Sequence, residues 1–375
     1  MAETKFEDQD EFEVTDSEET PEPLDVAPDE RKLVTQPYDY SVDQLTSHVE
    51  KKKILLIEVP YQREYVWDDT KASRLIESLL LNVPIPVCYF AENEDGTWEV
   101  IDGLQRVHSI VRFLKGQFHL RGLSVLTELN GRNFADISAR DQRRIESRTL
   151  RFVVITEESH PDIKFDVFER LNTGAVKLLP QELRNCIYRG SLNDGLHELA
   201  NNNSFRAAIG RMGSVKDSRM RDEELLLRFL ALYEDLPGYK APVTQFLNEY
   251  MRKNRESPPE PDAVTVLLAT MNTVTEVFHG RAFRTLKDGR QSSALNRALF
   301  DAVALSIAYS DRRQVIENAD RLTAAHLRLL EDTRFGVLIG RATADRGRMH
   351  GRVRMYTEIL TGLGIESFLP RLPEE

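Results

Sequence analysis

The chain has 375 residues, 41% hydrophobic and 30% charged, the proportions of a globular protein with room for two or three domains. No apolar run approaches the roughly 20 residues of a membrane span, and the acidic N-terminus lacks the apolar core of a secretory signal, so neither a membrane-spanning helix nor a signal peptide is expected and a cytoplasmic location is. The net charge of −11 is unevenly spread: residues 1–30 hold thirteen Asp or Glu against Lys5 alone, which leaves the remaining 345 residues at +1.

Residues 1–30 have three prolines and few large apolar side chains, so they are expected to form a disordered, solubilising tail. A short helix is predicted over Tyr38–Val49, entered through Ser41, with Val42, Leu45 and Val49 on one face. Ile54–Pro60 reads as a strand. Asp68–Asn82 is strongly amphipathic, since Ala72, Leu75, Ile76, Leu79 and Leu80 follow helical spacing and Asp68 or Asp69 can cap it. Pro84 and Pro86 force an extended entry into a strand at Val87–Phe90. Asp95-Gly96 signals a hairpin that returns through Trp98–Ile101. A helix with Val107, Ile110, Val111 and Leu114 inward follows at once, and Gly116 stops it.

Arg151–Thr156 is predicted as a strand, and Asp162–Leu171 as a helix broken by Asn172-Thr173-Gly174. Pro180 suits the first position of another helix that ends before Gly190. Beyond residue 195 the apolar spacing is mostly helical, over Glu223–Tyr233, Val243–Lys253, Asp262–Phe278, Ala294–Tyr309 and Val353–Leu360. The expected architecture is α+β: an α/β domain over 35–192, then a mostly helical domain over 195–370. Cys88 and Cys186 form no metal-type spacing, and no disulfide framework is expected.

The chemistry centres on a strand that turns directly into a helix at Asp102-Gly103-Leu104-Gln105-Arg106. Such a junction aims unpaired backbone amides and the helix dipole outward, which favours an anion. Gly103 permits the tight turn. Arg106 can fork onto phosphate oxygens, Asp102 can hold a metal ion or orient water, and Gln105 can bond phosphate, sugar or water. Taken alone, Asp-Gly before a helix is more often a plain turn with an exposed arginine after it. By the same reasoning Tyr65 and Trp67 read as core residues, Asn172 as a helix cap and Glu182 as a first-turn charge.

Four segments together change that balance: Tyr61-Gln62-Arg63 with Trp67, Leu75–Leu80 with Pro84-Ile85-Pro86, Ile101–Arg106, and Phe168-Glu169-Arg170-Leu171-Asn172-Thr173-Gly174. In order and spacing they resemble the N-terminal domain family of GmrSD-type restriction endonucleases, within the ParB/sulfiredoxin-like superfamily, over about residues 35–190. The resemblance implies a nucleotide-binding fold in which Asp102, Gln105 and Arg106 support hydrolysis of an NTP of unspecified base. It further implies nucleotide contacts from Gln62, Arg63, Gly103, Leu104, Arg170, Asn172 and Thr173. Mg2+ is the expected cation, with Asp102 as its ligand, because carboxylate and phosphate oxygens suit it. Leu104 departs from the glutamine usual in the family. No cysteine stands in the motif, so sulfinic-acid reduction does not carry over.

The sequence has no Asp-His motif of an HNH nuclease, so nuclease activity is expected from a partner subunit. Two alternatives use the same fold: a non-catalytic DNA-binding or protein-adaptor module, and a nuclease acting through Asp102, Glu99 and Glu169. Basic residues crowd 140–151 (Arg140, Arg143, Arg144, Arg148, Arg151) and 341–354 (Arg341, Arg346, Arg348, His350, Arg352, Arg354). Each group could meet DNA phosphates or form a solvated face. No base-reading motif is visible, and the sequence leaves the oligomeric state open.

Overall fold

The computed structural model describes residues 31–55, 67–171, 178–213, 220–287, 289–340 and 345–373. The predicted tail over 1–30 lies outside them, as does most of the predicted strand 54–60. The chain divides into two compact units, one ending at Ile187 and the other beginning at Tyr188.

The first unit opens with β1 (Thr35–Ser41) and α1 (Val42–Glu50). The helix expected from Tyr38 therefore starts four residues later. Ser41 accepts from the Gln44 amide while the Gln44 side chain accepts from the Ser41 amide. That reciprocal cap fixes the helix start. Ahead of it, Tyr38 and Tyr40 lie on one side of a strand, their rings 4.9 and 6.2 Å from that of Trp98; alternating aromatics favour a pleated surface over a helix.

The remaining elements are β2 (Ile54–Leu55), α2 (Asp69–Leu81), β3 (Cys88–Glu92), β4 (Trp98–Asp102), α3 (Leu104–Leu114), α4 (Ala139–Glu146), β5 (Thr149–Ile155), α5 (Pro161–Leu171) and α6 (Pro180–Ile187). Asp68 caps α2 by accepting from the Lys71 amide at 2.7 Å, and Asn82 closes it in the left-handed conformation. Gly96, at φ +76°, sits in the turn between β3 and β4.

The five strands form one mixed sheet in the order β1-β5-β3-β4-β2. β1 pairs antiparallel with β5 and β3 antiparallel with β4, while β3–β5 and β2–β4 are parallel. Phe90, Trp98, Val100, Phe152 and Val154 form one face and pack with residues of α1–α4. Ala91, Ile101 and Ile155 face the other way, against Phe165, Phe168 and Leu183 of α5 and α6. Burial on both faces explains the unbroken apolar run at Phe152–Ile155.

Two polar fasteners hold the α2–α4 layer. The buried Glu77 carboxylate accepts the amides of Val125 and Leu126, each at 2.8 Å, and so pins the loop after α3. Burial favours its protonated form, but these bonds and those from Ser124 outweigh it and hold the carboxyl below its usual range. Arg148 donates to the Leu79 carbonyl at 3.0 and 2.9 Å and to Asn82, tying the end of α4 to the end of α2.

The second unit contains α7 (Ser191–Ala200), α8 (Asn203–Ala208), α9 (Arg221–Asp235), α10 (Val243–Asn254) and α11 (Pro261–Phe278). A small hairpin of β6 (Leu286–Lys287) and β7 (Arg290–Gln291) precedes α12 (Arg297–Ala308), α13 (Arg312–Glu317), α14 (Ala319–Glu331), α15 (Thr333–Gly340) and α16 (Arg346–Gly362). The helix expected from Ala294 starts later because Asn296 caps α12, accepting from the Leu299 amide at 2.8 Å. Its residues Ala298–Ile307 are all buried. Asp301, within that run, accepts from Arg228 of α9 at 3.0 Å and from Arg352 of α16 at 2.7 Å. No described helix is long and apolar enough to cross a membrane.

Candidate functional site

The β4–α3 corner gathers five of the sequence-predicted residues. Gly103 turns the chain in the left-handed region at φ +102°, ψ 4°, a conformation that favours glycine. Space demands glycine as well: a Cβ here would overlap Cys88 Sγ and stand 2.9 Å from Cys88 Cβ. No side chain caps α3. Its first-turn amides therefore have no side-chain cap, and Asp102, Leu104, Gln105 and Arg106 beside them are partly exposed.

The corner is not an open fork of donors. Arg106 folds back one turn, and its Nη2 lies 2.6 Å from Asp102 Oδ2. Nη1 donates to the Pro86 carbonyl, and both terminal nitrogens stand 3.4 Å from that of Val87. The guanidinium thus links the carboxyl end of β4 to the entry of β3. Asp102 Oδ1 meets no protein donor among the described residues. Gln105 Oε1 accepts the Trp67 amide at 3.1 Å, fastening the segment before α2 to the start of α3. Trp67 packs on the core as expected, with Lys71 Nζ 5.2 Å from its ring centre.

Cys88 lies behind Gly103, fully enclosed. Burial pushes its thiol up to about 11; Arg106 pulls against this and Asp102 adds to it. Sequence reasoning missed Cys88, the Pro86 and Val87 carbonyls and the Trp67 amide as parts of this corner. The signal was the Pro84-Ile85-Pro86 run, which leads the chain past α3 with its carbonyls unpaired by helix.

The other predicted residues lie elsewhere. Arg170, near the end of α5, is exposed and bonds Asp166 on its own helix at 3.1 and 2.9 Å. Gln62, Arg63, Asn172 and Thr173 fall outside the described residues. Glu99 is buried, with Asn93 Nδ2 at 3.3 Å, and its odd position in β4 turns it away from the face that Asp102 shares. Glu169 is exposed on α5. No three His, Cys, Asp or Glu among the described residues come together as a metal cluster. Asp102 alone at this corner suits a cation that draws its other ligands from phosphate and water, as Mg2+ does.

The basic stretches also separate. In the second, Arg352 is buried against Asp301 and His350 against the Leu236 carbonyl at 2.9 Å, so neither can meet a phosphate backbone. In the first, Arg148 serves α2 and Arg151 pairs with Asp39 at 2.8 Å, which leaves Arg140, Arg143 and Arg144.

Residues 44–189, from within α1 to just past α6, match the family model of the GmrSD restriction endonuclease N-terminal domain. Comparison with curated proteins gives no match.

Proposed function

We propose, from the membership of residues 44–189 in the GmrSD restriction endonuclease N-terminal domain family, that this chain is an NTP-binding, NTP-hydrolysing regulatory module of a DNA restriction system. The observation that carries the reading is the uncapped start of α3 with Asp102 and Arg106 on either side of a glycine that cannot be replaced without a clash. The ParB/sulfiredoxin-like relationship is part of the same proposal, and a strand running straight into an amide-presenting helix supports it.

In this reading the backbone amides of Gly103 and Leu104 take the phosphate oxygens. Arg106 exchanges Asp102 and the two carbonyls for phosphate, to which a guanidinium binds in a fork. Gln105, held through the Trp67 amide, positions the turn and orients water. Gln62, Arg63, Arg170, Asn172 and Thr173 are further nucleotide contacts. Mg2+, held by Asp102 and phosphate oxygens, would supply charge neutralisation. Nuclease chemistry comes from a partner subunit.

The test is a calorimetric screen of ATP, GTP, CTP and UTP with Mg2+, together with a phosphate-release assay. The reading expects one or more to bind and be hydrolysed, and Arg106→Ala to bind none. Unchanged affinity in Arg106→Ala would overturn it. Tight DNA binding that ignores nucleotide, without phosphate release, would favour the adaptor alternative.

A further inference from the structure

Helix α4 presents three arginines from one side. Arg140, Arg143 and Arg144 stand at positions i, i+3 and i+4, which share a helix face, and all three are exposed. Ile145 is the one fully buried side chain of α4. Among the described residues neither Arg140 nor Arg143 has an ion-pair partner, and Arg144 meets Asp141 only at 3.9 Å. Several other exposed arginines of this unit are engaged, Arg151 with Asp39, Arg170 with Asp166 and Arg121 with Asp69, whereas Arg74 and Arg132 stand singly on other elements.

The neighbouring element α1 carries the exposed acids Asp43 and Glu50 and is followed by cations at its far end. α1 packs against α4, and the Val42 amide donates to the Arg148 carbonyl at 2.9 Å. The α1 segment then ends in Lys51 and Lys52, both exposed and without an ion-pair partner among the described residues. The face is also firmly built. Ser138 caps α4 by accepting the Asp141 amide at 3.1 Å, and Arg148 bonds its far end to α2. The arginines are thus presented from a fixed frame and lose no loop freedom on binding.

We infer that this α4 face docks the phosphodiester backbone of duplex DNA. The inference rests on the DNA-restriction reading above for its choice of nucleic acid, and on charge complementarity for the surface. Arg140 to Arg144 rise about 6 Å along the helix, the axial length of roughly two phosphates of one strand. Guanidinium groups fork onto phosphate oxygens. Such contacts position a duplex and read no sequence, in keeping with the absence of a base-reading motif.

The experiment is fluorescence anisotropy of a labelled duplex of arbitrary sequence with the full chain, across a salt series. The wild type should bind, with a salt slope that falls by about three in Arg140→Glu/Arg143→Glu/Arg144→Glu, near 0.9 per lost phosphate contact. Affinity of that variant at 0.1 M salt should drop at least tenfold. Arg140→Lys/Arg143→Lys/Arg144→Lys should retain most binding, and Arg313→Glu, at an exposed position of α13, all of it. The melting temperature and nucleotide affinity of the glutamate variant should match the wild type, which separates this surface from the β4–α3 corner; Arg106→Ala should lose nucleotide but keep DNA. Failure of the wild type to bind duplex, equal binding by the glutamate variant, or tighter binding to duplex RNA than to DNA would each overturn the inference.

Discussion

Arg106 Nη2 and Asp102 Oδ2 stand 2.6 Å apart across the glycine between them. In the proposed nucleotide complex the carboxylate occupies the edge of the guanidinium that a phosphate would take, and it would compete with ligand until a cation claimed it. Partly exposed pairs of this kind are worth about 0.5–1 kcal/mol. Asp102→Asn should therefore bind nucleoside triphosphate roughly two- to fivefold more tightly than wild type in EDTA, and more weakly than wild type with Mg2+. Calorimetry in the two buffers checks this; the same affinity for both proteins in EDTA would show that the pair does not compete.

Gly103→Ala forces a side chain into a left-handed turn and against Cys88. Backbone strain and overpacking together should cost about 2–4 kcal/mol. Cys88→Ala in the same chain should recover part of this by removing Sγ, but not the φ strain. Chemical unfolding of the wild type and the two variants measures both parts, and a fully stable Gly103→Ala would contradict the geometry.

Glu77 makes loop 124–126 sensitive to acid. Its folded carboxyl titrates below the ordinary 4.5, so the unfolded chain binds the proton first. The stabilisation is complete above that value and is lost as pH falls through the lower, folded one. Glu77→Gln should lose about 2 kcal/mol near neutrality, since amides bonded to a charged acceptor are left with a weaker one. The two proteins should converge in acid, and parallel stability curves over that range would argue against the role.

His326 acts in a different window. It is buried in the second unit, with Nδ1 3.1 Å from the Tyr356 hydroxyl, and burial lowers its pKa to about 4 from 6.5. The unfolded state therefore takes up its proton first as pH drops below 6.5, and stability declines until about pH 4, then levels. The loss over that span is about 3 kcal/mol. His326→Phe should flatten this limb, which thermal melts at pH 7, 6, 5 and 4 would reveal.

The helices with clean apolar spacing were legible from residues alone: α2 between Asp68 and Asn82, α3 stopped before Gly116, and α11, expected over Asp262–Phe278 and found one residue earlier, from Pro261. β1 was not, because Val42, Leu45 and Val49 set a helical period that seemed to reach back to Tyr38, while the contacts of Tyr38 and Tyr40 with Trp98 lie 58 or more residues away. At the corner, the order Asp102-Gly103-Leu104-Gln105-Arg106 gave the local turn. It gave no sign of where the Arg106 guanidinium points, since that depends on Pro86 and Val87 from another strand. The buried roles of His350 and Arg352 were hidden for the same reason: a run of arginines looks solvated until Asp301, far off in sequence, is placed beneath it.

Cys88 turns the packing behind Gly103 into a clock. With its thiol sealed in and raised to about 11, alkylation at neutral pH waits on departures of β3 from the α3 turn. In a Cys186→Ser background, the rate at which a thiol reagent labels the chain would count those openings directly. Triphosphate that pulls Arg106 from the Val87 carbonyl would quicken the labelling; triphosphate that clamps the turn shut would slow it.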